Sequence, residues 1–186
     1  MPTSSTPAAA VVAFDGHQLI ASGALPDVAR AVKRAERNGF AGPLLLFDAT
    51  TSEPIELDLR DNADPTSPID APRGPGRPRL GVVAREVTLL PRHWDWLATQ
   101  PGGASAALRR LVDQARIMNA GRDRLRLAQE HAYRFMSAVL GDQPGFEEAT
   151  RALFAGDALR FTTLSEPWPT DTRDHTRRLA AAVFTS

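Results

Sequence analysis

Cysteine is absent from the 186 residues. That excludes disulfide staples and thiolate metal sites, and it fits a reducing compartment. Long apolar runs are missing too: nothing approaches the roughly 18 residues that would span a bilayer. The opening stretch MPTSSTPAAAVVAFDG carries no positive charge, and Asp15 ends its apolar run early, so we expect no signal peptide and a soluble, cytoplasmic protein. Catalytic signatures are equally scarce. There is no phosphate-cradling glycine loop, no Gly-x-Ser-x-Gly elbow and no cysteine nucleophile. His17, His93, His131 and His175 fall in different segments, none with a second ligand at helical spacing. An enzyme would need a pocket gathering at least two of these histidines or carboxylates. We expect no cofactor, no metal and no small-molecule ligand.

The formal net charge of zero is an average. Residues 1–70 are acidic with a net of −5, residues 71–126 are basic with a net of +7, and residues 127–186 carry −2. A basic centre between acidic flanks suits one patch for an anionic partner.

Reading along the chain predicts an α+β protein. Residues 1–10, rich in Pro, Ser, Thr and Ala, are expected to be disordered. VVAF and QLIAS flank Asp15-Gly16, a strong hairpin signal. A helix should start near Pro26, bury Val28, Val32 and Ala35, and stop at Gly39. PLLLFDATTSEPIELDLR reads as two more strands, completing an N-terminal ββαββ module over residues 11–60. Residues 61–80 are a proline- and arginine-rich linker. Residues 121–186 read as a C-terminal α-helical region, with Phe135, Met136 and Val139 on one apolar face and Phe146, Leu153 and Phe154 packing a second helix.

The central segment, residues 81–120, is the best specified. A β-prone run ends at Pro91, a short helix RHWDWLATQ follows, and Gly102-Gly103 turns the chain into a second helix. Ser105 is its expected N-cap; Leu108, Leu111, Val112 and Ala115 recur on one face with Arg109, Arg110 and Arg116 off it. Two such short helices cannot bury both apolar faces alone, so a second copy or the C-terminal helices must cover them. REVTLLPRHWDWLATQPGGASAALRRLVDQA resembles a ribbon-helix-helix DNA-binding domain. The resemblance implies a homodimer whose residues 85–90 pair as a ribbon in the major groove, with the second helix's first turn, around Ser105, on a phosphate. Upstream, Gly76-Arg77-Pro78 resembles the core of an AT-hook, with Arg73 and Arg79 beside it. The runs GVVAREVTLLPRHWDWL, GGASAALRRLVD and AYRFMSAVLGDQPGFEEATRALFAGD are together similar to a bacterial family known as a domain of unknown function.

The expectation is a dimeric DNA-binding protein, either a transcriptional regulator or a nucleoid-type binder. Arg73, Arg77, Arg79, Arg85, Thr88, Arg92, Ser105 and Arg109 are its candidate DNA-contacting residues. The alternative is a protein–protein adaptor in which the central strand serves only dimerisation. Glu86, which one strand parity would turn toward the phosphates, favours that alternative.

Overall fold

A computed structural model describes residues 10–57 and 85–185. The described elements, in order, are β1 (Ala10–Asp15), β2 (Gln18–Ala24), α1 (Leu25–Glu36), β3 (Leu44–Asp48), α2 (Pro91–Ala98), α3 (Gly103–Val139), α4 (Phe146–Ala155), α5 (Ala158–Ser165) and α6 (Thr170–Phe184). They fall into two compact units: residues 10–57 with residues 121–185, and residues 85–120.

In the first unit the hairpin turns through Gly16-His17, one residue beyond the Asp-Gly pair, and β3 adds antiparallel to the free edge of β1. The strand order is β2-β1-β3. Because successive side chains alternate across a sheet, β1 serves two cores at once. Val11 and Ala13 face α1, where Val28, Val32 and Leu46 join them. Val12 and Phe14 face the other way, into a core with Phe47, Phe135, Met136, Leu153, Phe161 and Trp168. VVAF and LLLF are therefore apolar at every position because both sheet faces are covered. Residues 121–185 of the same chain cover this second face of the small sheet.

Specific polar ties hold these layers. The Asp15 carboxylate accepts from the amides of Ala41 at 2.8 Å and Gly42 at 2.6 Å, while the Gly16 amide donates to the Pro43 carbonyl at 2.9 Å. A side chain on Gly42 would put its Cβ 2.9 Å from the Gly16 Cα, so only glycine fits this approach. The Leu19 amide of β2 donates to Asp171 on α6 at 2.8 Å. Arg134 of α3 donates to the Thr51 carbonyl at 2.6 Å. On the helical side, the Trp168 indole donates to the Pro144 carbonyl at 2.9 Å. Arg177 gathers the Ser165 hydroxyl, the Thr162 carbonyl and Glu166.

Three details differ from the expected layout. The alternating run after β3 gives an isolated bridge between Phe47 and Pro54 and one bond from the Ile55 amide to the Leu46 carbonyl at 2.9 Å, rather than a fourth strand among the described residues. Pro54 has no amide hydrogen with which to extend the ladder. The second helix of the central segment and the amphipathic helix after it are one continuous 37-residue helix, α3, which runs through Gly121. A mid-helix glycine costs only about 1 kcal/mol relative to alanine, too little to break so long a run. Finally, α5 was not anticipated: Gly156, left-handed, closes α4, and Asp157 caps α5 by accepting from the Arg160 amide at 3.0 Å. No helix among the described residues is long and apolar enough to cross a membrane.

Candidate functional site

Residues 85–120 form the second unit and contain five of the eight candidate contact residues; Arg73, Arg77 and Arg79 lie outside the described residues. Residues 85–90 belong to no strand among the described residues, and all but the half-buried Leu89 are exposed. Arg85 and Thr88 thus sit on an open segment. Pro91 then starts α2, its fixed φ suiting the first helical position, and Leu90 closes the turn by accepting from the His93 amide at 2.8 Å. Arg92 follows in the first turn of α2 and is exposed.

Thr99 ends α2, its hydroxyl donating to the Trp96 carbonyl at 2.8 Å. Gly102 and Gly103 both take left-handed φ, +82° and +76°, which L side chains rarely adopt, and so reverse the chain into α3. α3 begins at Gly103, so Ser105 lies inside the first turn instead of capping it. The Arg109 Nε donates back to the Ser105 carbonyl at 3.1 Å. That bond draws the guanidinium toward the helix N-terminus, where the unpaired amides and the dipole favour an anion.

Two features of this unit stand out physically. Arg116 pairs with Asp113 at 3.7 Å, yet Arg85, Arg92 and Arg110 form no ion pair among the described residues. The apolar residues, meanwhile, are poorly covered. Leu97 and Ala107 are buried, whereas Val87, Leu90, Trp94, Trp96, Leu111 and Val112 are between 42% and 55% exposed. Trp96 was not singled out in sequence as a surface residue, although its place on a helix too short to bury both faces was the available signal. Trp168, by contrast, is buried in the other unit's core.

The histidines do not form a metal site: among the described residues no group of three His, Cys, Asp or Glu side chains could hold an ion. No curated protein and no solved structure matches the chain. A family described as an uncharacterized protein conserved in bacteria (DUF2239) matches residues 10–180, and the chain belongs to that family.

Proposed function

We propose that the protein is a dimeric DNA-binding protein in which residues 85–120 act as a ribbon-helix-helix-like element. The observation that carries this reading is the coincidence, on one short unit, of an exposed segment outside any strand and arginines without carboxylate partners among the described residues. The exposed backbone of residues 85–89, outside any strand among the described residues, suits pairing with a second copy. The exposed face of Val87, Leu90, Trp94, Leu111 and Val112 supplies the apolar area such a dimer would bury. With the pair formed, Arg85, Thr88 and Arg92 would lie along the ribbon, and the first turn of α3, with Ser105 and Arg109, would meet a phosphate. Arg73, Arg77 and Arg79 would extend the contact into a narrow minor groove.

The test measures fluorescence anisotropy of random and AT-rich duplexes at ~50 and ~200 mM salt, alongside sedimentation of the free protein. Neutralising several phosphates predicts an affinity loss of about 10²-fold or more over that salt range. Arg77→Ala with Arg79→Ala should lower affinity and flatten the salt slope; an unchanged slope removes the hook. A dimer that binds neither duplex at low salt overturns the DNA reading and leaves the adaptor.

A further inference from the structure

A second region, wholly within the other unit, gathers polar groups that the DNA reading does not use. A cleft of about 380 Å³ opens between the 121–139 portion of α3 and α6, with the turn after β3 at one end. α3 contributes Arg124 and His131, α6 contributes His175 and Arg178, and Thr50 comes from the turn. Leu127 and Leu179 line it with apolar surface. The two histidines lie 44 positions apart in sequence and come together only in the folded chain.

His175 is the anomaly. Its side chain is 2% exposed, packed against Phe135 at 4.6 Å and Phe14 at 5.6 Å between ring centroids. Neither ring nitrogen has a hydrogen-bond partner among the described residues. Buried polar atoms are almost always satisfied, and one left bare is costly. Burial, and then the positive charge of Arg178, lower its pKa to about 4. It is therefore a neutral imidazole near pH 7, offering one donor and one acceptor. Arg124 and Arg178 form no ion pair among the described residues, although carboxylates are plentiful on this unit. Asp48, whose carboxyl is held below its usual range first by the Thr51 amide, is already engaged by the amides of Thr50 and Thr51 at 2.8 Å.

We propose that this cleft is a binding site for a small amphipathic oxyanion, a carboxylate or a phosphate monoester with an apolar body. The guanidiniums of Arg124 and Arg178 hold the anionic head, Leu127 and Leu179 face the body, and the buried His175 ring backs the inner wall. Planar guanidiniums match both kinds of head, and a few convergent polar groups over apolar walls are the usual make-up of a small-ligand site. The proposal stands independently of DNA binding.

The test is calorimetric titration of the full chain with phenyl phosphate, benzoate, inorganic phosphate and benzyl alcohol, with the histidine ring protons followed by NMR. Phenyl phosphate or benzoate should bind and shift the His175 resonances, and the preferred one of the two identifies the head. Inorganic phosphate, lacking the body, and benzyl alcohol, lacking the charge, should each bind about tenfold or more weakly. Arg124→Ala with Arg178→Ala, both exposed positions, should weaken the preferred probe by about tenfold or more while circular dichroism stays unchanged. The proposal is overturned if neither aromatic anion binds, if the double variant binds equally well, or if benzyl alcohol binds as tightly as the anions.

Discussion

The buried imidazole of His175 should make the protein lose stability in mildly acidic solution. In the folded chain its pKa is lowered to about 4 by burial and then by Arg178, against an ordinary value of 6.5. The charged group that acts on it is Arg178 on its own helix, while Phe14 and Phe135 pack its ring. A histidine with a depressed folded pKa binds its proton more readily when unfolded, so stability is fully present above about pH 6.5 and falls as pH drops toward 4. At 1.36 kcal/mol per unit the complete loss is about 3 kcal/mol, of which about 2 kcal/mol is gone by pH 5. The assay is urea unfolding followed by tryptophan fluorescence at intervals from pH 8 to pH 5, for the parent and for His175→Leu. Leucine cannot titrate and leaves no bare nitrogen. The parent should lose about 2 kcal/mol more than the variant over this window. Two parallel stability curves would refute the reasoning.

Three further outcomes are expected. Gly42→Ala drives a Cβ to 2.9 Å from the Gly16 backbone and should lower stability by about 1–3 kcal/mol in the same urea assay, because a backbone neighbour cannot swing away. Trp168→Phe keeps most of the ring's packing but leaves the Pro144 carbonyl without its indole donor, for a loss of about 1–3 kcal/mol by calorimetric unfolding. Val112→Glu, at a position more than half exposed, should leave the melting temperature within about 2 °C while sedimentation shows a monomer and anisotropy shows weakened DNA binding.

Local chemistry made several elements readable in sequence. Asp15-Gly16 marked the hairpin, the Val28/Val32 spacing marked α1, and the LLLF run marked a strand. The boundaries that failed were those where a local signal is weak against its context. A segment boundary was expected between residues 120 and 121, but the residues on either side of it sustain α3. Gly156-Asp157 was a legible stop followed by a cap, yet only the pairing of Asp157 with the Arg160 amide distinguishes that from a loop. The central helix-turn-helix was legible because prolines and glycines punctuate it. The His131/His175 cleft was not, since no spacing rule connects side chains on two helices brought together by a shared core. Leu127, on the same helix as Phe135, lines that cleft and is substantially exposed.

The two-sided sheet carries a consequence for biosynthesis. Phe47 and Ala128 meet in one core, but about eighty residues of chain separate them. At ~5–20 residues per second the ribosome needs about 4 to 16 s to cross that interval. During those seconds VVAF and LLLF, apolar and free of charge, wait with one face bare. A nascent chain halted before residue 121 would thus expose that face to other chains until the helices emerge to cover it.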